Sequence, residues 1–323
     1  MRITNGMMLN SMMRSMSRNL NRMEKLEQNL ATGKKFLTPS DDPIGVSRSL
    51  RLNTEVASME QYKRNTEDAM SWLETTEVAL ENMGNVFQRT RELTVQASSE
   101  TNSIEERKSI ASEISQLKEQ IINIGNTTYA GSYIFSGYKT NKPLFDSNGD
   151  YSLQADPTDP SQTLKTTEVI EYNVGLSERM GINFLPHKIF GNMSGGTIDG
   201  AINNTADIVT GETPQMIKVF DQLITDLNND DSAGISEALS RIDKYFNNVN
   251  ASRAEIGVKT NRLDLTLNRI ADDTLNLKSL LSKNEDADMA EVIMNLKMQE
   301  NVYKASLSGG ASIIQPTLMD FLR

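Results

Sequence analysis

The chain contains no cysteine, which excludes a disulfide framework, a thiolate nucleophile and any cysteine-based metal site. Its single histidine is His187. Between Pro186 and Lys188 it reads as a surface turn residue, because a metal site or a triad needs partners that the sequence does not place nearby. Aromatic residues make up 6% of the chain and the net charge is -10. That balance argues against a nucleic-acid surface, which needs a basic stripe and stacking platforms, and points to protein partners. No stretch approaches the roughly 18 consecutive apolar residues of a membrane span. The N-terminus alternates methionine with Asn, Ser and Arg and lacks the apolar core of a cleavable signal peptide, so an exported chain would use another route. No phosphate-binding glycine loop is present, and carboxylates and hydroxyls alone make an enzyme the least expected class. No catalytic residue, cofactor or metal is expected.

What the sequence has in abundance is helical periodicity. Leu9, Met16, Met23 and Leu30 recur on a heptad spacing, with Met13 and Leu20 in the offset row. At the other end Met289, Leu296 and Tyr303 share the period, and Ile293, Leu307 and Ile314 fill a second row. Helices with so narrow an apolar face owe their stability to packing. Each therefore needs a partner: the other terminal helix, copies of itself, or both. Arg14, Arg18 and Arg22 precede any acid in the first segment, whereas Glu285, Asp286, Asp288 and Glu291 open the last, so charge complementarity favours the same pairing. With Leu318, Phe321 and Leu322 in the tail, these apolar residues form the expected assembly interface.

Between the ends, the polar turn Thr38-Pro39-Ser40-Asp41-Asp42-Pro43 breaks one helix and starts the next, with Asp41 and Asp42 read as caps rather than a catalytic pair. A helix is predicted from Ile44 to about Ala97, with Trp72 in its core or at the flank of a contact. Ser103 and Glu106 form a capping box, and Ile110, Ile114, Leu117, Ile121 and Ile124 carry the next helix to Gly125. After Asn126 the composition turns to glycine, tyrosine and β-branched residues. Tyr133-Ile134-Phe135 reads as a strand, as do Val169-Ile170-Glu171-Tyr172 and Ile182-Asn183-Phe184-Leu185. Residues 139–213 are predicted to be a small β domain inserted into a helical frame. Helix returns at Pro214 with Met216, Phe220, Leu223 and Leu227 on one face. The acidic run Asp226 to Asp231 lacks the ligand alternation of a calcium loop and reads as a solvated turn. A last long helix runs from Ile235 to Leu281, its seam interrupted by Arg253, Thr260 and Thr274, which set register.

The expected architecture is mainly α with an inserted β domain: a long antiparallel helical rod, or coiled-coil bundle, with paired terminal helices. Its expected parts are an N-terminal assembly helix and export region (1–40), a first rod arm (41–138), the β insertion (139–213), a return arm (214–283) and a C-terminal assembly helix (284–323).

Arg2-Ile3-Thr4-Asn5, Leu30-Ala31-Thr32-Gly33-Lys34-Lys35, Ser40-Asp41-Asp42-Pro43, and Gln61-Tyr62 with Asn65 stand in an order that resembles the N-terminal region of the bacterial flagellin family. Tyr133-Ile134-Phe135-Ser136-Gly137, Arg253-Ala254-Glu255-Ile256-Gly257, Asn261-Arg262-Leu263 and Asp286-Ala287-Asp288-Met289-Ala290 continue the likeness. Flagellins proper usually carry Asp-Asp-Ala-Ala-Gly where this chain has Asp41-Asp42-Pro43-Ile44-Gly45, and they end in leucine-rich tails unlike the one from Ile313 to Arg323. Both departures are similar to the branch that sits beneath the filament, at its junction with the hook. The resemblance implies a secreted, structural protein of the bacterial flagellum, exported unfolded through the flagellar secretion channel, with terminal segments that fold on assembly. It implies as partners a ring or tier of copies, a neighbouring hook-associated junction protein, flagellin, and an export chaperone on Met289 to Leu322. The alternative is a minor flagellin that forms the filament itself.

Overall fold

In the computed structural model the described residues are 5–99, 102–152, 163–164, 167–192, 198, 202, 208–209 and 211–319. In chain order they form α1 (Asn5–Thr32), α2 (Pro43–Ala97), α3 (Ile104–Gly125), β1 (Thr128–Tyr129), β2 (Ser132–Tyr133), β3 (Thr163–Leu164), β4 (Glu171–Asn173), β5 (Arg179–Gly181), α4 (Pro186–Phe190), β6 (Ile208–Val209), α5 (Gln215–Asn228), α6 (Ser232–Glu285) and α7 (Met289–Met319). Two compact units result, Met1–Glu60 with Asp272–Arg323, and Gln61–Ala271. Both α2 and α6 contribute residues to each.

The unit of Gln61–Ala271 is built on the antiparallel run of α2 and α6, pinned by Arg91 to Asp243 at 2.8 Å and Arg253 to Glu77 at 2.6 Å. Arg253, one of the polar residues that interrupt the seam, thus ties α6 to α2. Phe87 of α2 meets Phe220 of α5 at 5.8 Å and stacks on Tyr245 of α6 at 6.3 Å, so three helices converge on one aromatic cluster. A fully enclosed aromatic of this kind contributes roughly 1.5–3 kcal/mol through burial alone. Met216, Phe220, Leu223 and Leu227 all point into this core. Trp72 is buried edge-on to Tyr129 at 5.8 Å. The capping box is present: Ser103 Oγ accepts from Glu106 N, and Glu106 Oε2 accepts from Ser103 N.

The β region consists, among the described residues, of three two-stranded antiparallel ribbons, β1–β2, β3–β6 and β4–β5. Their neighbouring apolar side chains join the same core as the helices. The three expected strands differ from the prediction, β4 covering Glu171–Asn173 rather than Val169 to Tyr172. β2 covers only Ser132–Tyr133, and Phe135 leaves the ribbon to pack edge-on to Phe190 at 5.8 Å. Ile182 to Leu185 is buried but irregular, with β4 pairing instead to Arg179–Gly181 in the register Tyr172↔Met180. There Asn183 replaces the ladder: its Oδ1 accepts from Ile170 N at 2.8 Å and its Nδ2 donates to Glu168 O at 2.8 Å. The β4–β5 turn is held to α6 by Arg262 and Arg269, which donate to Glu178 at 2.8 and 2.7 Å. Those bonds, the one from Arg269 foremost, hold the Glu178 carboxyl below its usual range.

Two turn assignments need correction. His187 is buried, because Pro186 opens the short helix α4 whose Ile189 and Phe190 anchor it in the core, and Gly191 ends it at φ +70°. The run Asp226 to Asp231 is only partly solvated. Asp226 is buried and accepts from Gln222 at 2.7 Å, Asp230 pairs with the buried Arg107, and Asp231 Oδ1 caps α6 through Ala233 N and Gly234 N.

Candidate functional site

Helices α1 and α7 pack antiparallel in the unit of Met1–Glu60 and Asp272–Arg323, the arrangement that the two heptad rows predict. Near one end Gly310 is buried against the flexible tip of Met12, whose Sδ a β-carbon there would meet at 3.0 Å. At the opposite end Ala287 N donates to Gly33 O at 2.8 Å and Lys35 N to Glu285 O at 2.7 Å. Gly33 reaches this position at φ +72°, a conformation that other residues adopt only with strain.

Around that crossing the two loops are clasped by charge. Glu285 is buried, pairs with Lys34 and accepts from Ser49 Oγ. The Lys34 bond, followed by that of Ser49, holds its carboxyl below the usual range. Asp42 caps α2, accepting from Ile44 N and Gly45 N at 3.1 and 3.0 Å. Asp41 instead ties its own loop, accepting from Lys25 Nζ at 2.7 Å and from the Leu37 and Thr38 amides. Lys25 first, then those amides, pull its pKa down to about 2. Asn284 Nδ2 donates to Gly45 O at 2.9 Å and Lys35 Nζ to Lys283 O at 3.0 Å. The loop after α1 and the joint between α6 and α7 are thereby one fixed corner.

The predicted assembly residues divide into two sets. Met16, Met23 and Leu30 of α1 and Tyr303 of α7 are half-buried, and Leu296 of α7 is buried. The offset row is exposed. Met13 is 63% exposed, Leu20 39%, Ile293 46% and Leu307 45%. Leu9 and Met289, at the outer ends of the first row, are exposed too. The seam takes the adjacent positions instead: Met12, Asn19 and Leu26 on α1, and Val292, Gln299, Ser306 and Gly310 on α7. Most of the positions on the α7 side are polar or small, and Gln299 Oε1 lies buried there without a hydrogen-bond partner. Of the remaining predicted residues, Ile314 and Leu318 fall in α7 where only the backbone is described, and Phe321 and Leu322 lie outside the described residues.

The expected charge pairing within the chain differs as well. Arg14 Nε donates to Asn10 O and Arg18 to Ser15 Oγ, both at 3.3 Å and within α1. Glu285 closes α6 rather than opening α7, and Asp288 is consumed as the α7 cap through Ala290 N and Glu291 N. Residue pattern alone missed Lys34 and Ser49 as partners of Glu285, since the three meet only once both loops have folded.

Two family models match the chain. The bacterial flagellin N-terminal helical region matches residues 3–140 and the bacterial flagellin C-terminal helical region matches residues 239–322. The chain is 29% identical to flagellar hook-associated protein 3 of Escherichia coli (strain K12) over 321 residues, covering 95% of each chain. It is 26% identical to a flagellin of Halalkalibacterium halodurans over 293 residues, covering 91% of this chain and 88% of that one. Among solved structures, flagellar hook-associated protein-3 from Legionella pneumophila has a similar fold, with a TM-score of 0.56 at 17% identity over 72% of this chain and 97% of the other.

Proposed function

This chain belongs to the bacterial flagellin family, and from that premise we propose that it is a structural adapter that joins the flagellar hook, through a neighbouring junction protein, to the flagellin filament. It works outside the cell and catalyses no reaction. One tier of copies would take its place between the two neighbours, and an export chaperone would hold Met289 to Leu322 before secretion. The near full-length likeness to a hook-associated protein 3 supports this reading.

The observation that carries it is the second apolar row. Met13 and Leu20 on α1 and Ile293 and Leu307 on α7 stay exposed although the helices already pair with each other. A chain that only had to close on itself would bury these residues and expose Asn19, Gln299 and Ser306. The exposed row suits a further helix supplied by a neighbouring subunit, with Leu9, Met289, Ile314, Leu318, Phe321 and Leu322 completing the contact, while Met16, Met23, Leu30, Leu296 and Tyr303 serve the pairing of the two terminal helices. Contacts that repeat from copy to copy extend without limit unless their geometry closes them, and an adapter must stop after one tier.

Likeness to a flagellin over 91% of the chain supports the rival reading of a minor flagellin. Electron microscopy decides between them. The purified chain, seeded with filament fragments under conditions that drive flagellin assembly, is expected to add at most a short cap. Long filaments grown from this chain alone would make it a flagellin.

A further inference from the structure

The methionines of this chain are sorted by location. Among the described residues every methionine exposed to solvent lies on α1 or α7: Met7, Met8 and Met13 on the first, Met289, Met294 and Met298 on the second. Those of the other unit are shielded, with Met83, Met180 and Met216 buried in its core. Met13 and Met289 stand beside the α1·α7 seam with Leu9, Leu20 and Ile293, whereas Met7, Met294 and Met298, with Val302, lie on the outer sides of the two helices; the neighbouring aliphatic side chains cannot be oxidised under mild conditions.

Two properties of the thioether make this distribution consequential. Its unbranched, polarizable chain adapts to differently shaped neighbours, which suits a face that must meet more than one kind of subunit. The sulfur is also oxidised wherever an oxidant reaches it, and the sulfoxide is polar and chiral where the thioether was apolar. We propose that these six methionines are an oxidation site through which peroxide controls the assembly competence of the free subunit. This rests on the adapter reading, in which α1 and α7 are the helices that neighbouring subunits cover. In the reaction the sulfur lone pair attacks one oxygen of hydrogen peroxide, the O–O bond breaks, and the departing hydroxide leaves as water after proton transfer. Sulfur is oxidised by two electrons and the peroxide is reduced by two. Once assembled, these helices are covered and the sulfur is out of reach. The device therefore acts on folded free subunits and spares those in place.

The test uses the full chain treated with hydrogen peroxide at neutral pH, peptide mass mapping of each methionine, and co-sedimentation with filament fragments sheared from the source cells. The six exposed methionines are expected to oxidise at least about fivefold faster than Met83, Met180 and Met216, and the product to bind fragments about tenfold or more weakly with its helix content retained. Methionine sulfoxide reductases are expected to restore binding. A variant with all six changed to leucine, compared with its own untreated sample, should lose no binding on peroxide treatment. Six confirmed sulfoxides with undiminished binding would overturn the proposal while leaving the adapter reading intact, as would oxidation of the core methionines at the same rate. Failure of the untreated chain to bind fragments would instead defeat the adapter reading, and this proposal with it.

Discussion

Changing Leu20 and Leu307 together to glutamine separates the second apolar row from the seam beside it. Leucine and glutamine have nearly the same helix propensity, and both sites are solvent-exposed, so the free chain is expected to keep its stability within about 0.5 kcal/mol. Assembly is another matter. Leu20 is 39% and Leu307 45% exposed, so roughly two-fifths of each residue remains to be buried by a neighbour. Full burial of a leucine contributes about 1.5–3 kcal/mol, which leaves about 1 kcal/mol per site for the new contact. An amide closed into an apolar contact without a partner costs about 1–3 kcal/mol more. The two sites together should therefore weaken binding by at least about 3 kcal/mol, a factor of about a hundred. Urea unfolding of the free chain and co-sedimentation with filament fragments read the two effects separately. Binding as tight as wild type would refute the assignment of this row to a neighbour. A large fall in the stability of the free chain would refute it too, by placing both residues in the internal seam.

Further outcomes follow from the clasp and the core. Arg107→Ala removes a buried guanidinium that pairs with Asp230 and donates to Ser99 O at 3.3 Å; since Asp230 is half exposed, the expected loss is about 1–3 kcal/mol, read as a lowered urea midpoint. Gly125→Ala would place a β-carbon 2.7 Å from Phe145 Cδ2 and 3.3 Å from Phe190 Cζ, so despite alanine's better helix propensity it is expected to destabilise by about 1–3 kcal/mol in the same measurement. The carboxyls of Asp41 and Glu285 are both held below their ordinary range. Their stabilisation is therefore complete above the unfolded carboxylate range and is lost as pH falls, down to about 2 for Asp41. Protection factors of residues 33–45, taken relative to the intrinsic amide exchange rate at each pH, are expected to fall over that acid window, and less steeply in Asp41→Asn; protection factors that do not change with pH would show that the clasp does not hold the corner.

The long helices were legible because their signals are local and repeated. The capping box at Ser103, the stop at Gly125 and the apolar face of α5 each rest on residues a few positions apart. The ribbons were less so. With two or three residues per strand, ladder bonds are too few to impose an alternating pattern, and at Asn183 a side chain does the work of a strand. His187 was misread for a related reason. Its immediate neighbours signal a turn, and its burial depends on Phe190 meeting Phe135 and Phe145 from distant parts of the chain. No local pattern encodes the Lys34, Glu285 and Ser49 cluster, because the chain between its members must fold first.

The displaced row in the terminal helices has a different origin. On both α1 and α7 the inner residues of the first heptad row are shielded while its outer members, Leu9 and Met289, are exposed, and the shielded second row lies one residue away from the predicted one. Hydropathy selects Met13, Leu20, Ile293 and Leu307, whereas the intramolecular seam uses Asn19, Gln299 and Ser306. A rule that apolar residues face inward fails only if inward has two meanings, and a helix with two seams has two. The seam that closes within the chain sets Asn19, Gln299 and Ser306 among its apolar residues, and Gln299 Oε1 is unsatisfied in it. The exposed row has no partner inside the chain. Its burial by a neighbour's helix would add to what the internal seam already supplies, so that assembly orders the terminal segments further. The same displacement explains why the first row alone was not enough to read the pairing: its residues are divided between both contacts, and only the second row says which partner each face is for.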